Sequence, residues 1–184
     1  MKKIKVHDKV FKPYIEDKEL QKIVKKMALE IYEDYKEETP VFIGVLNGVF
    51  MFFADLLKYY PGDCEVAFLQ VSSYSGTQST GVVYKKMDLT KEVKNRHIIL
   101  MEDIVDTGNT IASLFEYFQN TQRPKSVKVA SLLIKPEVYN KEFKIDYVGI
   151  EIPDKFVLGY GLDYDELGRN LKDLYQLDEG KINE

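Results

Sequence analysis

Residues 98–110 read IILMEDIVDTGNT. The run from Ile98 to Met101 is apolar on both faces, which is the pattern of a strand buried in the middle of a sheet. It carries Glu102, Asp103 and Asp106 to the strand's carboxyl end. Three carboxylates so close together repel one another, and burying them is costly without a cation, a hydroxyl-rich ligand or a proton. Immediately beyond, Asp106, Thr107, Gly108, Asn109 and Thr110 form a small polar loop that opens onto a helix. Unpaired N–H groups and the helix dipole favour a phosphate at such a place, and Thr107 and Thr110 add hydroxyl donors. Carboxylates beside an anion cradle suit a phosphorylated sugar. A plainer reading of an isolated triplet has Asp106 capping the helix and the other two acids pairing with lysines.

The flanking sequence sets the fold class. Downstream, Ile111, Leu114, Phe115 and Phe118 share one face of a helix predicted over about 110–120, and SVKVASLLI at 126–134 reads as another strand. Upstream, VFIGVL at 41–46, then Asn47 and Gly48, then VFMFFADLLKYY closed by Pro61 and Gly62, read as strand, tight turn and helix. A second strand is expected at 65–72, followed by the polar stretch SSYSGTQSTG and a short strand at 82–86. Leu20, Val24, Met27, Ile31 and Tyr35 recur at helical spacing, predicting an amphipathic helix over 17–38 with Asp17 as its cap. Strands alternating with helices imply right-handed crossovers, a largely parallel central sheet flanked by helices, and ligands at the carboxyl ends of the strands.

Composition narrows the class. The chain has 184 residues, 45% hydrophobic and 30% charged, with a net charge of −4. This is the size of one domain with a sizeable core. The single cysteine, Cys64, leaves no partner for an internal disulfide, so a reducing cytoplasmic setting is expected. The start, MKKIKVHDKVF, lacks the apolar stretch of a signal peptide, and the apolar region 41–57 is interrupted by Asn47 and Asp55, short of the roughly 18 residues a membrane span needs. Negative charge argues against general nucleic-acid binding.

Taken together, these segments resemble the type I phosphoribosyltransferases, whose binding motif for 5-phosphoribosyl-1-diphosphate (PRPP) is similar to the acid pair, DTG turn and helix at 98–110. Four further stretches narrow the resemblance to the hypoxanthine-guanine branch: VLNGVFMFFADLL, SSYSGTQSTG, SLLIKP and EIPDKFVLGYGLDYDELGRN. The resemblance spans about 41–171. It implies a single domain over 1–184, with a core at about 38–150 and a small hood from the N-terminal segment and about 151–184. It also implies a homodimer or homotetramer, beside the absence of a nucleic-acid partner and of a membrane span expected from charge and hydropathy.

The resemblance also distributes roles. Glu102, Asp103, Asp106, Thr107, Gly108, Asn109 and Thr110 would hold PRPP, with Asp106 as the acid/base. The turn Leu46, Asn47 and Gly48, with a cis peptide at Leu46–Asn47, and Arg169 would hold pyrophosphate. Ser73 and Tyr74 would sit in a catalytic loop that closes over the reacting centre. Lys135 would donate to the 6-oxygen of the purine, Phe156 would stack on it, the Val157 backbone would read its edge, and Asp163 would sit beside it. Mg²⁺ is implied as cofactor, with Glu102, Asp103 and Asp163 as its ligands. The implied activity is Mg²⁺-dependent phosphoribosyl transfer from PRPP to a 6-oxopurine in purine salvage; the alternative is a non-catalytic regulator of the same fold that senses PRPP or nucleotides. Two positions depart from the common pattern. Asn109 and Asn47 stand where lysines are frequent, which removes positive charge from both anion loops but leaves their backbone donors.

Overall fold

The computed structural model describes residues 2–70, 89 and 91–180 with their side chains, and the backbone at 73–74 and 83–84. In chain order the elements are β1 (Ile4–Val6), β2 (Lys9–Ile15), α1 (Asp17–Tyr35), β3 (Val41–Leu46), α2 (Phe50–Tyr59), β4 (Glu65–Gln70), β5 (Ser73–Tyr74), β6 (Val83–Tyr84), β7 (His97–Val105), α3 (Asn109–Tyr117), β8 (Ser126–Ile134), β9 (Tyr147–Glu151), β10 (Val157–Leu158) and β11 (Leu174–Leu177).

Five of these strands form a sheet in the order β4-β3-β7-β8-β9, with every pair parallel. Alternation along the strands divides the core in two. Phe42, Ile99 and Met101 pack against α1 and α2 on one face, while Val41, Ile43, Ile98 and Leu100 meet Ile111 and Leu114 of α3 on the other. The terminal segments build a second, antiparallel sheet in the order β1-β2-β11-β10, over a small core of Phe11, Leu158 and Tyr175. Among the described residues no helix is long and apolar enough to cross a membrane.

Four boundaries differ from the sequence reading. The helix expected over about 110–120 ends at Tyr117 and passes into a π-helical turn at Phe118–Gln122. The first helix ends at Tyr35 and not at 38, where the chain tightens into a turn in which the Glu38 amide donates to the Tyr35 carbonyl at 2.9 Å. Asp17 does not cap this helix; Glu16 holds the cap position without a side-chain bond, and the Asp17 amide donates to Asp173 Oδ1 at 2.8 Å. A carboxylate from the far end of the chain thus satisfies the orphan donor. The strand read from the apolar run 98–101 runs on to Val105, so Glu102 and Asp103 lie within β7 and only Asp106 lies beyond it.

Candidate active site

From β3 the chain winds outward in one direction to β4, and from β7 in the other direction to β8. The carboxyl ends of β3 and β7 therefore flank a topological switch point, where an open parallel sheet leaves a crevice between diverging loops. Both predicted anion loops line that crevice. After β3, the Leu46–Asn47 peptide is cis and the turn leads into α2. After β7, Gly108 takes a left-handed conformation with φ of 80° and leads into α3 with no side-chain cap. The Asn109 amide meets Thr107 Oγ1 only at 3.5 Å, so this helix start keeps weakly engaged donors for an anion. Thr107 and Thr110 are half-buried beside it and Asn109 is exposed.

Gly48 locks the turn to its neighbours. A Cβ there would lie 1.6 Å from Asp103 Oδ2, and one on Gly161 would lie 1.9 Å from the Gly48 carbonyl oxygen. The tail loop, the turn after β3 and the acid of β7 are therefore stacked in direct contact. Arg169 is joined to the same stack: its guanidinium donates to the Gly161 carbonyl at 2.9 Å and pairs with Asp163 at 2.9 Å.

The acids of β7 are unlike ordinary surface carboxylates. Glu102 is buried, and its Oε2 has no hydrogen-bond partner. Burial, and then the charge of Asp103, pushes it well above the usual carboxylate range. Burial likewise raises Asp103 to about 6; the backbone amides of Ile104 and of Asp103 itself and the Arg169 charge act against the shift, and Asp163 adds to it. Asp163 itself accepts from the Glu166 amide at 2.8 Å. Among the described residues no three His, Cys, Asp or Glu side chains converge as a ready-made metal cage.

On the other side of the crevice, the Lys135 amide donates to the Val105 carbonyl at 3.0 Å, which sets Lys135 beside Asp106. Its buried ammonium lies 2.9 Å from Asp154 and 3.5 Å from Asp106. Phe156 is 41% exposed and packs against Phe11 and Tyr164 at centroid distances of 6.1 and 5.8 Å. The Phe156 carbonyl accepts from the Leu177 amide, and ladder alternation then turns the Val157 N–H and C=O away from β11. Val157 thereby offers a free donor and acceptor on a sheet edge. The side chains of Ser73 and Tyr74, and most of SSYSGTQSTG, lie outside the described residues.

Known proteins match this arrangement. A model of the phosphoribosyl transferase domain matches residues 14–165. The chain is 43% identical over 166 residues to a hypoxanthine-guanine phosphoribosyltransferase of Bacillus subtilis, covering 90% of this chain and 91% of that one. A relative of the same description from Aquifex aeolicus is 38% identical over 95% of this chain and 98% of its own. This chain belongs to the hypoxanthine-guanine phosphoribosyltransferase family. A crystal structure of a hypoxanthine-guanine phosphoribosyltransferase from Bacillus anthracis superposes with a TM-score of 0.84 at 36% identity, covering 91% of this chain and 98% of that one.

For a phosphoribosyltransferase, the donor set fits Mg²⁺, a hard cation that takes oxygen ligands and is commonly held by one or two carboxylates together with water and substrate phosphates. Glu102 Oε2, buried and without a hydrogen-bond partner, is an oxygen of the kind such a cation takes. Sequence reasoning missed two groups in this phosphoribosyltransferase. Asp154, which holds Lys135, lies in the stretch EIPDKFVLGYGLDYDELGRN, where its place just ahead of Phe156 is the one available signal. Tyr160 sits 1% exposed and donates to Asp55 Oδ2 at 2.7 Å, where Gln21 also donates. Asp55 had registered only as an interruption of an apolar run.

Proposed function

We propose that this protein transfers the 5-phosphoribosyl group from PRPP to N9 of hypoxanthine or guanine, releasing pyrophosphate and forming IMP or GMP. The observation that supports this most is the meeting of two backbone anion cradles at the β3/β7 switch point with Lys135 beside Asp106. The C1–O bond to pyrophosphate breaks as the C1–N9 bond forms, so positive charge develops on the ribose and negative charge on the leaving group.

Each part of the crevice answers one of these demands. The first amides of α3, with Thr107 and Thr110, grip the 5-phosphate, while the Leu46–Gly48 turn and Arg169 receive pyrophosphate. Glu102 and Asp103 face the ribose hydroxyls, and with Asp163 they would hold Mg²⁺, which when bound offsets the charge of the departing pyrophosphate. Asp106 takes the proton from N7 of the base. Phe156 stacks on the purine, Val157 reads its edge, and Lys135 donates to the 6-oxygen, a donor that adenine's amino group cannot accept from. Positioning and charge stabilisation carry the rate. A cytoplasmic homodimer or homotetramer belongs to the same reading.

The test is product formation with PRPP and Mg²⁺ and each of hypoxanthine, guanine, xanthine and adenine in turn. IMP or GMP should form and AMP should not. Tight PRPP binding with no product from any base would overturn the transferase reading in favour of a sensor.

A further inference from the structure

We propose that Asp154 is a specificity-determining positioning residue: it draws the Lys135 ammonium toward the base side of the crevice and so leaves Asp106 able to accept a proton. The inference rests on the base-side reading above and adds to it a residue that acts through Lys135.

The geometry is that of two acids competing for one cation. The Lys135 backbone is fixed by its bond to Val105, so only the far end of the side chain can move. Its Nζ makes a full hydrogen bond to Asp154 at 2.9 Å and sits at the outer limit of one, 3.5 Å, from Asp106. The lysine side chain is 11% exposed, whereas the two carboxylates are 51% and 54% exposed. An ammonium that deep cannot stay unpaired. If Asp106 were its sole partner, the cation would settle on the acid meant to take the proton.

Asp154 is well placed to prevent this, because its own backbone is held on both sides. The Ile152 amide donates to the Ile134 carbonyl at 2.9 Å, registering this loop on the end of β8, and the Lys155 amide closes a tight turn onto Pro153 at 2.7 Å. Two acids for one base also leave one negative charge uncompensated, which is what a proton acceptor requires. When a 6-oxopurine enters, one of the three ammonium N–H bonds is free to turn to its oxygen while Asp154 keeps another.

The experiment compares Asp154→Asn, Asp154→Glu and Lys135→Ala in steady-state kinetics with hypoxanthine, adenine and PRPP. In Asp154→Asn, KM for hypoxanthine should rise on the order of 10-fold and the preference over adenine should fall by a similar factor, with KM for PRPP changed by less than about twofold. Asp154→Glu, which keeps the charge, should recover most of both. Unchanged hypoxanthine KM and selectivity in Asp154→Asn would overturn the proposal, as would an equal loss for both substrates with no recovery in Asp154→Glu. The Lys135→Ala arm separates the two levels. If it leaves hypoxanthine KM untouched, the assignment of Lys135 to the base falls and Asp154 falls with it; if it raises that KM while Asp154→Asn does not, Asp154 alone is refuted.

Discussion

At the amino end of the five-stranded sheet, Glu65 pairs with Lys91 and, at 2.8 Å, with Arg96. Glu38 pairs with Lys125 at 2.9 Å, and Asp34 with Lys128 at 2.9 Å. The hydrogen bonds from these partners, and for Asp34 from the Tyr147 hydroxyl before Lys128, hold all three acids below the usual carboxylate range. At the carboxyl end of the same sheet, Glu102 and Asp103 are pushed the opposite way by burial. The residue types are the same, and so is the sheet. What differs is that one end is covered by long cationic side chains in solvent, whereas the other opens into a crevice at the switch point where Arg169 pairs with Asp163 and Lys135 with Asp154, and neither cation pairs with Glu102 or Asp103. Uncompensated acids that a fold tolerates mark the end where a cation and a charged substrate arrive.

The comparison breaks most dramatically at Asp106. If it is the proton acceptor, Asp106→Asn should lower kcat on the order of 10² to 10⁴-fold with little effect on folding. Near-normal turnover would remove it from that role. Asp103→Asn tests the electrostatics directly. Its carboxyl binds a proton more tightly in the folded chain, with a value of about 6 against 3.8 in the unfolded chain. The stability it contributes is therefore fully present below pH 3.8 and lost as pH rises through about 6. Without metal at pH 8, Asp103→Asn should raise Tm by roughly 3–6 °C while lowering activity at least about tenfold. Thermal melts across pH 4 to 8 would check the sign: the wild-type protein should lose stability over that window and the variant should lose less. A variant less stable than wild type at pH 8 would show that Asp103 is not strained by its surroundings.

Legibility in the sequence followed the same division. Strands β3, β7 and β8 are continuous apolar runs bounded by turn residues, and α1 repeats its buried face over five turns, so pattern alone located them. The hairpin of β1 and β2 was not assigned as strands. Lys5, Lys9 and Lys12 interrupt it, Val10 is exposed, and it contains Pro13, so it has neither the apolar run of a central strand nor a clean turn signal. The anion loops were legible because their chemistry is local, written in five consecutive residues after β7 and three after β3. Asp154, Tyr160 and Asp173 act through partners 19, 105 and 156 residues away, and no local pattern announces such bonds.

Tyr160 gives the next test, and a smaller one. Its buried hydroxyl ties the tail loop to α1 and α2 through Asp55 and Gln21, while the adjacent Gly161 rests on Gly48. Tyr160→Phe removes that hydroxyl without emptying the cavity. Asp55 keeps its bonds from Gln21 and Lys58, so the loss should be about 1 kcal/mol, a Tm drop of roughly 3 °C. Because the tail loop carries Arg169, KM for pyrophosphate in the reverse reaction should rise by about threefold, with KM for hypoxanthine in the forward reaction unchanged. Equal changes in both would mean that the hydroxyl supports the fold without orienting the pyrophosphate side.

The smallest effect belongs to the amino end. Glu65→Gln weakens two ion pairs, yet all three partners are substantially exposed, where such pairs gain little in water and are further screened by salt. The change should move Tm by less than about 2 °C, and less still at high salt, with kcat and both KM values within about twofold. This makes it the counterpart of Asp103→Asn: removing a compensated carboxylate should cost the protein almost nothing, whereas removing an uncompensated one should stabilise it and cost activity. A tenfold fall in turnover from Glu65→Gln would mean that charge at the two ends of the sheet is coupled, and the separation of a screened end from a reactive one would have to be abandoned.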